Sequence, residues 1–110
     1  MAIIFHITTR EGWERARAQG SYRPEAFAAE GFIHCSTPTQ VVHVANSRFR
    51  SHTGLVLLSI ETERVAAAIR YENLEGGEQL FPHIYGALNL DAVLEAADFT
   101  PGSDGLFQLD

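Results

Sequence analysis

Three times in this chain a histidine stands two residues before a hydroxyl-bearing side chain: His6-Ile7-Thr8, His34-Cys35-Ser36 and His83-Ile84-Tyr85. Alternate residues of a strand point to one face. Each motif therefore sets an imidazole and a hydroxyl on the same side, with an apolar or thiol residue turned away. Imidazoles exchange protons near neutral pH, and hydroxyls hold polar ligands. Three such strands side by side would line one cleft with three imidazoles and three hydroxyls. The fullest of the motifs is Glu30-Gly31-Phe32-Ile33-His34-Cys35-Ser36-Thr37, which reads as a turn, a strand over 32–36 and the cap of a helix. In it Phe32, His34 and Ser36 share one face and Ile33 and Cys35 the other.

The neighbours of these residues refine the chemistry. His6 and His34 each precede an expected helix N-terminus, where free backbone N–H groups attract anions. A phosphate or carboxylate is thus expected near His6, Thr8 and Arg10, or near His34 and Ser36. Phe81 and Tyr85 share the His83 face and are placed to stack on a flat ring. Glu72 and Glu78 are candidate general bases or ribose ligands. Zinc on the three histidines is a further reading. The three lie far apart in sequence, with no carboxylate at a typical ligand spacing, so no metal is assigned. Cys35 falls on the face opposite His34 and is expected to be a packed core thiol rather than a nucleophile. His43 and His52 are expected at the surface.

The elements that must position these groups follow from pattern. Residues 3–7 form a dense apolar run, expected as an interior strand. Thr8 with Glu11 reads as a capping box opening a helix of about ten residues that stops at Gly20. Residues 21–29 read as a loop with a helical turn. Thr37-Pro38-Thr39-Gln40 reads as a helix start with Thr37 as cap, and the helix is expected to run to about Ser51, with Val41, Val42, Ala45 and Phe49 as its apolar stripe. Residues 55–60 are the most hydrophobic segment and the expected central strand. A helical turn over 62–68, strands over 69–72 and 80–85, a glycine-bearing loop over 74–79, a short turn over 88–93 and a last strand over 94–99 complete the chain, and the tail after Pro101 is expected to fray. Two helices early and many short strands late predict an α+β fold, and no glycine-rich nucleotide loop follows any strand.

The chain has 110 residues and one cysteine, so a single domain without an internal disulfide is expected. Its formal net charge is −6 and all eight basic residues are arginines, a balance that argues against a nucleic-acid surface. A small anionic ligand is compatible with one or two placed arginines. No apolar run approaches the ~20 residues of a membrane span, and nothing resembles a signal peptide. A cytoplasmic protein is the expectation, and the sequence sets no oligomeric state.

The chain resembles the bacterial family called domain of unknown function 952 over nearly its whole length. The resemblance rests on Phe5-His6-Ile7-Thr8 with Trp13, on residues 30–36 with Gln40 and Ala45-Asn46, on residues 55–60, and on Phe81-Pro82-His83-Ile84-Tyr85-Gly86. That family is similar in fold to ADP-ribosyltransferases, including the RNA phosphotransferases that pass a phosphate to NAD. The resemblance implies a split, strongly curved sheet with a nicotinamide-nucleotide cleft at the split. It implies a ribose contact for His6 and, more loosely, nicotinamide stacking for Tyr85. No glutamate stands at the place where such enzymes carry one. The expectation is a protein that binds NAD or a related nucleotide in a His-lined cleft and transfers or hydrolyses ADP-ribose, with NAD as substrate. A non-catalytic ligand-sensing or interaction module using the same cleft is the second reading, and a metal-dependent hydrolase with three histidine ligands is the third.

Overall fold

The structure is a computed structural model that describes residues 2–74 and 76–109. Among the described residues, eight strands and three helices follow one another as β1 (Ile3–Thr9), α1 (Arg10–Gln19), β2 (Ser21–Tyr22), α2 (Phe27–Glu30), β3 (Ile33–His34), α3 (Val41–Arg48), β4 (Leu55–Glu61), β5 (Ala68–Glu72), β6 (Phe81–Tyr85), β7 (Leu88–Asn89) and β8 (Val93–Phe99). Short 3-10 turns follow β4 and β7. The α+β class and the two main helices, α1 and α3, are as expected, with α2 as an added single turn.

Two three-stranded sheets, β1-β4-β8 and β3-β6-β5, and the ribbon β2-β7 carry the strands, all in antiparallel pairs. The edge strand β1 of the first sheet meets the edge strand segment after β3 of the second at one bridge, between Phe5 and Ser36. Their backbones exchange two hydrogen bonds of 2.8 Å there. Beyond that bridge the two sheets part, so the sheet is split between β1 and β3.

The β4 run lies at the centre of its sheet because both of its faces are apolar, which only an interior strand can bury. Val56, Leu58 and Ile60 enter one core with Ile4, Trp13, Ile33, Cys35 and Ile84, under the second sheet and α1. Leu55 and Leu57 enter a second core with Val41, Ala45, Phe99 and Phe107, under α3. β1 alternates in the same way, with Ile4 in the first core and Phe5 and Ile7 packed against the second.

Several boundaries differ from the sequence reading. Thr9, not Thr8, caps α1: its hydroxyl accepts the Gly12 N–H at 2.9 Å. Thr8 is still a strand residue, paired with Val56. Gly20 ends α1 in the left-handed conformation, as expected. Residues 37–40 form a turn, and α3 begins only at Val41. Half of the expected capping box survives, because Gln40 Oε1 accepts the Thr37 N–H at 3.0 Å. Ser21–Tyr22 and Leu88–Asn89, read as loop and turn, pair with each other as β2 and β7. The 32–36 strand shrinks to Ile33–His34 plus the Ser36 bridge. The tail does not fray throughout: Phe107 is fully buried, stacks on Phe99 and donates its N–H to Asn46 Oδ1 at 2.6 Å. Glu75, inside the expected 74–79 loop, lies outside the described residues.

Candidate functional site

A cavity of about 220 Å³ opens at the split, walled by β1, the strand segment after β3, α3, β6 and the end of β5. His6, His34, Ser36, Phe81 and His83 border it, together with Glu72, Leu74 and Arg48. The three imidazoles therefore converge, but only one of the three hydroxyls does. Thr8 borders a separate concavity beside α1 with Tyr22 and Arg23. Tyr85 does not border the cavity and donates its hydroxyl to Glu72.

His6 is fully engaged by the protein. Its Nδ1 lies 2.5 Å from the His34 carbonyl, which can only accept, so Nδ1 carries the proton. Its Nε2 lies 2.7 Å from the Tyr22 hydroxyl, and in the neutral ring it accepts that phenolic proton. Thr8 Oγ1, 2.9 Å from the Tyr22 oxygen, completes the chain. Burial pushes the His6 pKa down to about 4, outweighing the opposing bond to the His34 carbonyl. Burial likewise pushes the Tyr22 hydroxyl up to about 12. His6 thus ties β1 to β3 across the split and offers no nitrogen to a ligand. Tyr22, which carries no chemical signal in a segment read as loop, is its partner.

His83 is held differently. Its ring is buried, stacked on Phe32 with centroids 4.2 Å apart, and its Nδ1 lies 3.0 Å from Glu72 Oε1. The same carboxylate oxygen accepts the Tyr85 hydroxyl at 2.5 Å. The Tyr85 hydrogen bond first, and then that of His83, hold the Glu72 carboxyl below the usual range, while giving its proton to Glu72 raises the Tyr85 hydroxyl. A carboxylate takes the Nδ1 proton of a neutral imidazole as a hydrogen bond and leaves the Nε2 lone pair bare. No described residue bonds that Nε2, so His83 brings a carboxylate-oriented imidazole to the cavity wall.

His34 sits directly across the strand pair from His83, with ring centroids 5.1 Å apart. Its Nε2 donates to Glu30 Oε2 at 2.6 Å. Gly31, left-handed at φ 82°, ends α2 and turns the chain back so that Glu30 comes under His34. The i, i+4 spacing of Glu30 and His34 was visible in the sequence, but across a glycine-ended turn it carries no helical meaning.

Other candidates fall elsewhere. Arg10 pairs with Asp98 and, at 3.7 Å, with Glu14, away from the cavity. Glu78 is exposed and does not border it. His43 and His52 are exposed, as expected. Among the described residues no group of three or more His, Cys, Asp or Glu side chains is placed to hold a metal ion. The three imidazoles meet at the cavity, His6 as a tie between β1 and β3, and His34 and His83 each held by a carboxylate.

Cys35 is buried in the first core, although it also borders the cavity beside His34, and burial pushes its thiol well above the ordinary range. A protonated, packed thiol is not a nucleophile. Cys35→Ala is expected to cost about 1 kcal/mol, the scale of one small buried group and its cavity, and to leave ligand binding unchanged. Cys35→Arg is expected to prevent folding by burying an unpaired charge. Urea melts of both variants check this.

Residues 7–96 match the family model described as Protein of unknown function (DUF952). The chain belongs to this family. The crystal structure of CC0527 from Caulobacter crescentus is similar to this DUF952 protein at 36% identity and a TM-score of 0.87, covering 97% of this chain and 94% of that one. A crystal structure of a double mutant of CC0527 gives the same values. The solution NMR structure of CC0527 covers 99% of this chain and 94% of its own at 36% identity, with a TM-score of 0.86. The fold is therefore shared with CC0527 over 97–99% of this chain. Among curated proteins, none matches. No helix among the described residues is long and apolar enough to cross a membrane.

Proposed function

We propose that the cavity binds one end of NAD or a related nucleotide and that His83 acts there as general base on an attacking water or acceptor hydroxyl. The observation that carries this reading is the Glu72–His83 pair: a buried imidazole, oriented by a carboxylate at 3.0 Å, with its second nitrogen free at the wall of a cavity. A base so held is what proton abstraction from a weak nucleophile requires.

The nucleotide class draws on the family resemblance and on the position of the cavity at the split. Transfer or hydrolysis of ADP-ribose is the reaction it implies, in an ADP-ribosyltransferase-like fold. The cavity, about 220 Å³, is smaller than the roughly 300–1,000 Å³ of sites for whole drug-sized ligands. It suits the nicotinamide-ribose end of NAD, with the remainder of the dinucleotide outside. Phe81 and Leu74 supply apolar wall to such a ring. His6 serves this reading as a positioning residue and not as a ribose contact.

Titration of the labelled protein with NAD, ADP-ribose and nucleoside monophosphates, followed by NMR, tests the reading. Shifts confined to the His34, Ser36 and His83 strands are expected. Absence of shifts at millimolar ligand rejects it. Nicotinamide release from NAD is expected to fall about 10²–10⁴-fold in His83→Ala, the usual contribution of a general base, with the fold checked by its amide spectrum. Binding without any turnover in the wild type would make the cleft a ligand-sensing module.

A further inference from the structure

We infer that His34 is a second proton-transfer group of this cleft, and that the cleft also takes a phosphodiester of a sugar, such as a nucleoside 2′,3′-cyclic phosphate, as a substrate. The inference rests on the reading of His83 as base and goes beyond it. Nicotinamide leaves NAD as a neutral molecule and needs no proton. A site built for that step alone has no use for a second oriented imidazole. This cleft has one: His34 and His83 are register partners on β3 and β6, their rings lie 5.1 Å apart, and each is held by its own carboxylate through one nitrogen. Glu30 takes Nε2 of His34 and Glu72 takes Nδ1 of His83, so the remaining nitrogens, Nδ1 and Nε2, have no partner among the described residues. Both rings border the cavity.

Two imidazoles on one wall suit a reaction that removes a proton at one atom and supplies one at another. A sugar oxygen leaving phosphorus is such a case, because an alkoxide departs poorly unless it is protonated as the bond breaks. The wall also suits a phosphoryl centre rather than an acyl one. Arg48 is the arginine among its lining residues, and the Ser36 hydroxyl borders the cavity without a partner among the described residues. A guanidinium and a hydroxyl complement the charge on phosphoryl oxygens.

The step balances as follows from these groups. Water forms a bond to phosphorus as His83 Nε2 takes one of its protons. The bond from phosphorus to the ribose oxygen breaks, and that oxygen receives the proton carried by His34 on Nδ1. The product is a nucleoside monophosphate. Proton exchange with solvent then restores both rings.

The test uses the full-length protein with 2′,3′-cyclic AMP, followed by ³¹P NMR, and with the methyl and 4-nitrophenyl phosphodiesters of a nucleoside. Wild-type turnover of the cyclic substrate is expected, falling 10²–10⁴-fold in His34→Ala and in His83→Ala. The 4-nitrophenyl ester carries a leaving group that needs no proton. With it His34→Ala is expected to stay within a few-fold of wild type, while His83→Ala remains impaired. Glu30→Gln, which keeps the His34 side chain, is expected to follow His34→Ala with a smaller loss. If the wild type leaves all phosphodiesters intact while releasing nicotinamide from NAD, this inference falls and the base reading stands. Equal losses for His34→Ala on both esters would also overturn it. If His83→Ala turns over every substrate like wild type, both readings fall.

Discussion

Acidification from pH 7.5 to pH 4 is expected to remove about 3 kcal/mol of folding stability through His6 alone. The unfolded chain takes up a proton on this imidazole as pH falls through 6.5, whereas the folded ring, buried between the two sheets, does so only near 4. Between those values the unfolded state binds the extra proton, so every step down in pH favours unfolding. The contribution is complete above pH 6.5, declines through the interval and levels off below 4. A depression of this size corresponds to about 3 kcal/mol at 1.36 kcal/mol per pH unit. Urea melts of the wild type and of His6→Gln at several pH values isolate the effect, because the variant has lost the titrating group. Glu72 titrates in the same direction, since its depressed carboxyl stabilises the fold at neutral pH and loses that contribution on acidification, but it does so in both proteins and cancels. Parallel pH profiles for the two proteins would refute the assignment of His6 as the buried neutral tie.

Leu58→Ala is expected to destabilise the protein by about 2–5 kcal/mol, the range for truncating a buried leucine and leaving a cavity. Leu58 is fully buried at the middle of β4, paired with His6 on one side and Ala96 on the other, and it belongs to the first core. Its neighbours there are held by two strand pairs and by the second sheet, so the site has little freedom to collapse onto the void. For a domain whose total stability is about 5–15 kcal/mol, such a loss lowers the midpoint of a urea melt severely. A change below about 1 kcal/mol would mean that the first core is not close-packed around β4.

Much of this arrangement was written in local sequence pattern. The 55–60 run could only be an interior strand, and Cys35 was legible as a packed core thiol, although it also borders the cavity beside His34. Both readings depend on the period of two, which a sheet enforces strictly. The readings that shifted depend on contacts between distant segments. Thr8 and Thr9 are equally good caps in isolation, and the seven-residue pairing of β1 with β4 decided between them. Tyr22 looked like a loop residue because two-residue strands have no measurable period. Its hydroxyl became structural only when β2 brought it to His6. Phe107 had the composition of a frayed end around it, and a long-range stack on Phe99 fixed it. For the site, the sequence marked the three histidines and Glu72, but not which of the imidazoles have both nitrogens occupied. That depends on the His34 carbonyl and on Tyr22, which close off His6 and carry no signal in residue type.

The burial of Phe107 beneath α3 has a consequence for how the chain acquires its fold during synthesis. Residues 41–48 of α3 leave the ribosome early, yet one side of the core they cover is supplied by Phe99 and Phe107. β4 likewise emerges with β1 already available, while its other edge waits for β8. At translation speeds of about 5–20 residues per second, that interval is on the order of seconds. Throughout it the most hydrophobic strand of the protein has an open edge, able to pair with any other exposed strand. The nascent protein is therefore most vulnerable to aggregation between the completion of β4 and the arrival of β8 and Phe107, and a chaperone that masks a strand edge would act in that window.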